Sequence, residues 1–254
     1  MKVTPKKRLG QHFLKDEDIA LKTVNALAAG NKNVLEIGAG MGVLTKYLLE
    51  NEDINLKVVE IDKESVEYLT AHYPQLGDNL LAADFLTLEL DKIFQGKMSI
   101  IGNFPYNISS QIIFKMLDYK EIVTEMVGMF QKEVAERLAA APGSKSYGIT
   151  SVLLQAFYDI EYLFTVDESK FLPPPKVKSA VIRIEKNEDK KLNCDYTLFR
   201  KVVKTAFNQR RKTLRNSLKS FTFDEKRLPD ELFSLRPEQL SVQQFESICN
   251  AVLR

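Results

Sequence analysis

The sequence predicts an α/β chain: a doubly wound, mostly parallel sheet within residues 1–186, followed by a small all-helical domain over 192–254. Three observations predict it. Short apolar runs alternate with helical stretches between 34 and 140, the order in which a parallel sheet with covering helices is built. The first run, Val34-Leu35-Glu36-Ile37, enters the glycine-rich turn Gly38-Ala39-Gly40-Met41-Gly42. Beyond the polar stretch 187–191, a plausible linker, the apolar spacing is helical to the end, as at Leu198, Val202 and Phe207.

Taken in order, residues 1–15 read as an irregular basic arm. Asp16 is placed to cap a helix over 17–29, with Ile19, Val24 and Leu27 on its apolar face and Gly30 as its stop. Strand 34–37 leads to helix 43–49, strand 56–61 to helix 65–72, and a short strand follows at 80–82. Strand 98–102 precedes helix 108–117, and the apolar strand 122–130 runs into helix 132–140. A loop at 142–144, a helix at 149–157 and strands at 160–166 and 177–185 complete the sheet. Between those strands, Phe171-Leu172-Pro173-Pro174-Pro175 is stiff and extended.

Composition narrows the function. The chain has 254 residues, enough for a large core and a second small domain, and 44% are hydrophobic, as in ordinary soluble proteins. No apolar run approaches the ~20 residues that span a bilayer, and the N-terminus lacks the apolar core of a signal peptide. Cys194 and Cys249 form no CxxC or Cys/His cluster, which argues against a structural zinc site and for reduced thiols in a cytoplasmic protein with no metal. The net charge of +2 conceals polarisation: 17 of the 36 basic residues lie in three acid-free blocks at 1–15, 170–183 and 200–219, leaving 19 basic against 34 acidic elsewhere. Such blocks on an acidic body suggest a polyanion-binding face. Within them Arg210, Arg211, Lys212 and Arg215 are spaced to share much of one helical face, and with Lys6, Lys7 and Arg8 would grip phosphates.

The glycine turn indicates a ligand. Gly38, Gly40 and Gly42 let the backbone turn sharply and approach a bound group. A dinucleotide fingerprint would need glycine where Val43 stands, so the pattern favours a nucleoside without a pyrophosphate, such as S-adenosylmethionine. Glu60, at the end of the next strand, is placed to accept both ribose hydroxyls; Asp62 is its rival, or only a helix cap. Asp84 follows the short strand and either accepts from an adenine amine or serves as a cap or turn residue. Glu36 either anchors the loop or approaches the cofactor's amino group.

Asn103-Phe104-Pro105-Tyr106, after a buried strand, supplies a chemistry. An adenine amine is a poor nucleophile because its lone pair is delocalised into the ring. The Asn103 side-chain oxygen and a backbone carbonyl, that of Phe104, can each accept one amine N–H and aim the lone pair at a methyl donor. Pro105 fixes the turn and Tyr106 offers a face for the base. Catalysis by such a site is mainly positioning of two reactants.

These segments occur in order with Leu9-Gly10-Gln11-His12-Phe13-Leu14, Gln131-Lys132-Glu133-Val134-Ala135-Glu136-Arg137-Leu138, Phe171-Leu172-Pro173-Pro174-Pro175-Lys176-Val177-Lys178-Ser179-Ala180-Val181 and Phe207-Asn208-Gln209-Arg210-Arg211-Lys212-Thr213-Leu214-Arg215-Asn216-Ser217-Leu218. Together they closely resemble the ribosomal RNA adenine-N6,N6-dimethyltransferases, and among them the bacterial small-subunit (16S) enzymes linked to kasugamycin sensitivity. The resemblance implies a Rossmann-like class I methyltransferase fold and S-adenosylmethionine contacts from His12, Leu14, Gly38, Glu60, Asp84 and Asn103. It places Tyr106 and Phe171 around the target adenine. It implies dimethylation of two adjacent adenines in a hairpin loop near the 3′ end of small-subunit rRNA, within a pre-ribosomal particle. The sequence gives no sign of oligomerisation, and a monomer is the default expectation. Two residues depart from the family: Phe104 stands where leucine is usual, and His12 where asparagine is common. The competing expectations are a large-subunit enzyme of the macrolide-resistance type, and an assembly factor acting mainly by binding. A DNA amine methyltransferase would more often carry a second proline at the position of Tyr106.

Overall fold

A computed structural model of the chain describes residues 3–28, 30 and 32–253. The first two residues of the basic arm and the far end of the helix expected over 17–29 lie outside that set. In chain order the elements are β1 (Phe13–Leu14), α1 (Glu17–Val24), β2 (Asn33–Ile37), α2 (Thr45–Leu49), β3 (Asn55–Glu60), α3 (Lys63–His72) and β4 (Leu80–Ala82). They continue with β5 (Met98–Asn103), α4 (Ser109–Asp118), β6 (Val123–Gln131), α5 (Lys132–Leu138), α6 (Ile149–Gln155) and β7 (Tyr158–Val166). The last are β8 (Phe171–Leu172), β9 (Ser179–Lys186), α7 (Tyr196–Asn208), α8 (Leu214–Ser217), α9 (Asp230–Ser234) and α10 (Val242–Asn250).

Seven strands form one sheet in the order β4-β3-β2-β5-β6-β9-β7. The pairs from β4 to β6 are parallel, and β9 runs antiparallel to β6. The central strands β2, β5 and β6 are buried along nearly their whole length, as parallel strands inside a sheet are. Strand order reverses between the parallel neighbours β2 and β5, the switch point where doubly wound sheets take their ligands. Parallel register brings the ends of β2, β3 and β5 to this point: Ile37 lies beside Val59, and the Gly38 N–H donates to the Val59 carbonyl at 2.9 Å.

The chain divides into two compact units, 1–135 with 160–186, and 136–159 with 187–254. The expectation placed all of 1–186 in one domain; the contacts count 136–159, including α6, with the C-terminal helices. In the helical unit α7 carries buried Phe199, Val202, Val203, Ala206 and Phe207 on one face and packs against α6, α8 and α10. Asp195 caps it, accepting from the Leu198 N–H at 2.7 Å.

Three local expectations change. The arm is not irregular throughout: a 3-10 turn at Lys7–Leu9 leads into β1, which pairs antiparallel with β8, Phe13 beside Leu172 and Leu14 beside Phe171. Phe13 and Leu14 are buried there, which explains why a polar arm contains two adjacent large apolar residues. α1 is capped by Asp16 as expected, at 3.1 Å from the Ile19 N–H, but ends at Val24. Finally, α7 stops at Asn208 because Gln209 leaves helical geometry (φ −121°, ψ 44°), and Thr213 is extended before α8. Arg210, Arg211, Lys212 and Arg215 therefore share no helical face.

Candidate active site

A cavity of about 240 Å³ opens at the switch point, walled by the arm, the glycine turn, the end of β3, the 83–86 segment and the 103–108 segment. Gly38, Gly40, His12, Glu60, Asp84, Asn103, Phe104, Pro105 and Tyr106 all line it. Leu14 does not; it borders an adjoining recess of about 20 Å³ with Glu36 and Asn103. Phe171 lines neither, and is 1% exposed in the core beside Leu14.

The glycine turn is compact because the arm lies on it. Gly40 has φ 57°, and a Cβ there would come within 2.8 Å of the Phe13 ring. Its N–H donates to Glu60 Oε2 at 2.9 Å, while the Asp62 N–H donates to Oε1 at 2.8 Å. Each carboxylate oxygen keeps a further lone pair for a ligand hydroxyl. Burial raises the Glu60 pKa, opposed by these backbone donors, which favour the charged form. Asp62 stands at the start of α3 but makes no cap bond. It receives Lys6 Nζ and, at 3.3 Å, Gln11 Nε2, so it fastens the arm instead.

Glu36 lies below the turn and accepts from Thr45 Oγ1 at 2.7 Å. Burial pushes its pKa up to about 8, with the charge of Glu60 adding to the effect. Of its two expected roles, the anchoring bond is present. Asp84 caps the 3-10 turn Phe85–Thr87, accepting from the Leu86 N–H at 2.9 Å through Oδ1, and is also among the residues that line the cavity. Capping and ligand contact are compatible in a carboxylate with two oxygens.

Asn103 ends β5. Its Nδ2 donates to the His12 carbonyl at 2.8 Å, which fixes the amide so that its oxygen is the end left to accept. The Phe104 N–H donates to the Met129 carbonyl at 3.2 Å. The Phe104 ring is driven inward, edge-on to Phe130 with centroids 5.1 Å apart, and occupies the space a Cβ at Gly128 would need. The departure from leucine is thus absorbed by the core. Tyr106 is pinned twice: its hydroxyl is 2.6 Å from Ser179 Oγ, and its ring stacks on His12 with centroids 5.4 Å apart. His12 is held in turn by the Pro173 carbonyl, 2.7 Å from Nδ1.

Sequence reasoning missed Ile61 and Ser179. Ile61 follows Glu60, lines the cavity and is 51% exposed, an apolar surface available to a ligand ring. Only its place after the strand-end acid could have indicated it. Ser179 has no local signal, since its role arises from a bond to a residue 73 positions away.

The basic residues differ in state. Lys6 is committed to Asp62 and to Glu64, at 3.2 Å. Arg210 donates to the Lys145 carbonyl at 2.5 Å and lies 3.8 Å from Glu238; Arg215 lies 3.4 Å from Asp230 and over the Phe233 ring. Lys7, Arg8, Arg211 and Lys212 are exposed, and make no ion pair among the described residues.

No helix of the described residues is long and apolar enough to cross a membrane, and no group of three or more His, Cys, Asp or Glu side chains among them is arranged to hold a metal ion. The family model described as ribosomal RNA adenine dimethylase matches residues 3–252. The chain is 58% identical over 251 residues to the ribosomal RNA small subunit methyltransferase A of Cytophaga hutchinsonii, covering 98% of this chain and 97% of that one. Among solved structures, a dimethyladenosine transferase from Plasmodium falciparum superposes with a TM-score of 0.76 at 24% identity, covering 95% of this chain and 99% of that one. The 23S rRNA methyltransferase ErmE superposes with a TM-score of 0.68 at 23% identity, covering 93% and 99%. These two likenesses identify the class I methyltransferase fold. By the match along nearly its whole length, the chain belongs to the ribosomal RNA adenine dimethylase family.

Proposed function

We propose that this protein dimethylates the N6 amines of two adjacent adenines in a hairpin loop near the 3′ end of small-subunit rRNA, using S-adenosylmethionine, during assembly of the small subunit. The carrying observation is the Asn103 amide: its Nδ2 is spent on the His12 carbonyl, which leaves its oxygen as the acceptor, and Asn103, Phe104 and Tyr106 line the same cavity. Family membership supplies the substrate class.

The residues present fit the cofactor. Glu60 accepts its ribose hydroxyls and Asp84 its adenine amine, while Gly38 and Gly40 give backbone access and Ile61 an apolar face. His12 closes the side formed by the arm, and Leu14 with Glu36 backs the smaller recess. S-adenosylmethionine supplies an electrophilic methyl group on a sulfonium. The rest is done by the chain. Asn103 Oδ1 and the Phe104 carbonyl would each accept a hydrogen bond from one amine N–H and turn the nitrogen lone pair away from the ring. Pro105 fixes the distance between them, and Tyr106 stacks on the base. Each transfer forms one N–C bond as the S–C bond breaks, and the one displaced proton leaves to solvent. No strong general base is required. After one transfer the amine has a single N–H, so one acceptor suffices for the second.

Phe171 backs the target-base side from within the core. Lys7, Arg8, Arg211 and Lys212 contact RNA phosphates directly, while Arg210 and Arg215 contribute after exchanging their present partners and Lys6 contributes by fastening the arm. Phosphate contacts position the RNA, and the splayed-out adenine is read in the cavity. The protein acts as a cytoplasmic monomer on a pre-ribosomal particle.

The test is transfer from labelled S-adenosylmethionine to small subunits lacking adenine dimethylation, with large subunits and naked rRNA in parallel, followed by digestion to nucleosides. Dimethyladenosine from small subunits alone is expected. Transfer only to large-subunit rRNA would instead indicate the resistance-type activity, and tight small-subunit binding without transfer an assembly factor.

A further inference from the structure

The Asp84 segment is held from the helix that follows the Asn103-Phe104-Pro105-Tyr106 turn. Lys115, on α4, extends to the 3-10 turn Phe85–Thr87 and donates from Nζ to the Leu86 carbonyl at 2.9 Å and to the Leu88 carbonyl. Its ammonium also lies 5.3 Å from the Phe85 ring centroid and 5.8 Å from that of Tyr119. Leu86 is thereby gripped at both of its polar groups: Asp84 takes its N–H and Lys115 its carbonyl. Thr87 Oγ1 donates to the Asp84 carbonyl at 2.9 Å and completes the tie. Burial lowers the Lys115 pKa against the opposing pull of Asp84 and Asp118, so the ammonium is partly removed from water. Charge-assisted bonds in such surroundings hold geometry that solvated ones do not.

We propose that Lys115 is a positioning residue for the nucleoside end of the cofactor site, tying the 84–88 segment to α4 so that the Asp84 carboxylate keeps its place on the cavity wall. The inference rests on the reading of Asp84 as acceptor of the adenine amine. It couples the two halves of the site, since the helix that begins at the methyl-accepting turn also sets where the donor's base is read. Lys115 touches neither reactant.

The test uses the full chain and two ligands, S-adenosylhomocysteine and its inosine counterpart, in which a carbonyl replaces the adenine amine. Binding of each is measured by calorimetry, with transfer rates on small subunits alongside. In Lys115→Met, S-adenosylhomocysteine is expected to bind about tenfold more weakly, the scale of one lost charge-assisted bond, while the inosine ligand changes by about twofold or less. The preference for the amine collapses, kcat at saturating cofactor holds, and Lys115→Arg retains the preference. Equal weakening of both ligands would reveal general loosening and overturn the proposal, as would an unchanged preference. Lys115→Gln, which keeps a neutral donor, supplies the same comparison if the methionine variant does not fold. Asp84→Asn separates the two levels. If it leaves the preference intact, the reading of Asp84 fails; if it removes the preference and Lys115→Met does not, only the role of Lys115 fails.

Discussion

At the 103–106 turn almost every group is gripped: Asn103 by the His12 carbonyl, the Phe104 backbone by Met129, Tyr106 by Ser179 and by the His12 ring. At 209–213, between α7 and α8, the backbone makes only local turn bonds, such as Lys212 N–H to the Gln209 carbonyl at 2.8 Å, and Arg211 and Lys212 extend into solvent. The two segments face different physical demands. Aiming an amine at a methyl group requires atoms fixed within fractions of an ångström, because misplacement costs rate steeply. Gripping a phosphate backbone requires charge within reach, and a long flexible side chain supplies it without a fixed geometry. Side-chain bonds are concentrated where chemistry is proposed, and exposed charge lies where RNA contact is proposed.

The comparison breaks most visibly at Asn103. Asn103→Ala is expected to lower single-turnover methyl transfer on the order of 10²-fold or more while leaving small-subunit binding nearly unchanged. Equal losses in both measurements would mean that Asn103 serves binding rather than orientation.

Charge reversal of Arg211 and Lys212 probes the other side. It should weaken rRNA binding and flatten the dependence of log K on log salt by about 1–2 in slope, with kcat at saturating substrate preserved. Lys6→Ala should behave oppositely although it too removes positive charge. Its partner Asp62 is almost wholly buried, so the variant should melt earlier and bind cofactor more weakly with little change in salt slope. If Lys6→Ala flattens the slope as Arg211 does, the distinction between fastened and free cations fails.

A smaller effect concerns Glu36. Its pKa is raised from 4.5 to about 8 in the folded protein, so the folded state holds a proton that the unfolded state has released over that interval. Stability from this group is therefore fully present below pH 4.5, falls as pH rises, and is lost above about 8, on the order of a few kcal/mol in all. Glu36→Gln, which keeps an acceptor for Thr45, should flatten the melting temperature of the ligand-free protein across that range. An identical pH profile in both proteins would show that Glu36 is ionised in the fold.

The site was legible where a motif carries its own geometry. Glu60 and Asn103 end their strands and Gly40 and Asp84 follow theirs within a few residues, so a parallel sheet brings them together at the carboxyl ends of its strands. Leu14 and Phe171 were less well placed, because their neighbours depend on pairing between β1 and β8, segments with no continuous pattern linking them. The basic face was legible as charge but not as geometry, since the end of α7 at Asn208 turns on a local backbone break that lysine and arginine spacing does not encode.

By itself the sequence determined the βα alternation, the glycine turn, the cap at Asp16 and the composition of the 103–106 turn. Each depends on neighbours a few residues apart, whose periodicity and backbone preferences are written locally. Only the tertiary structure decided that the arm joins β8, that Lys6 is spent on Asp62, that the His12 carbonyl orients Asn103 and that Lys115 holds the Asp84 segment. Those bonds join groups distant in sequence, and a buried donor takes whichever acceptor the folded chain brings within reach.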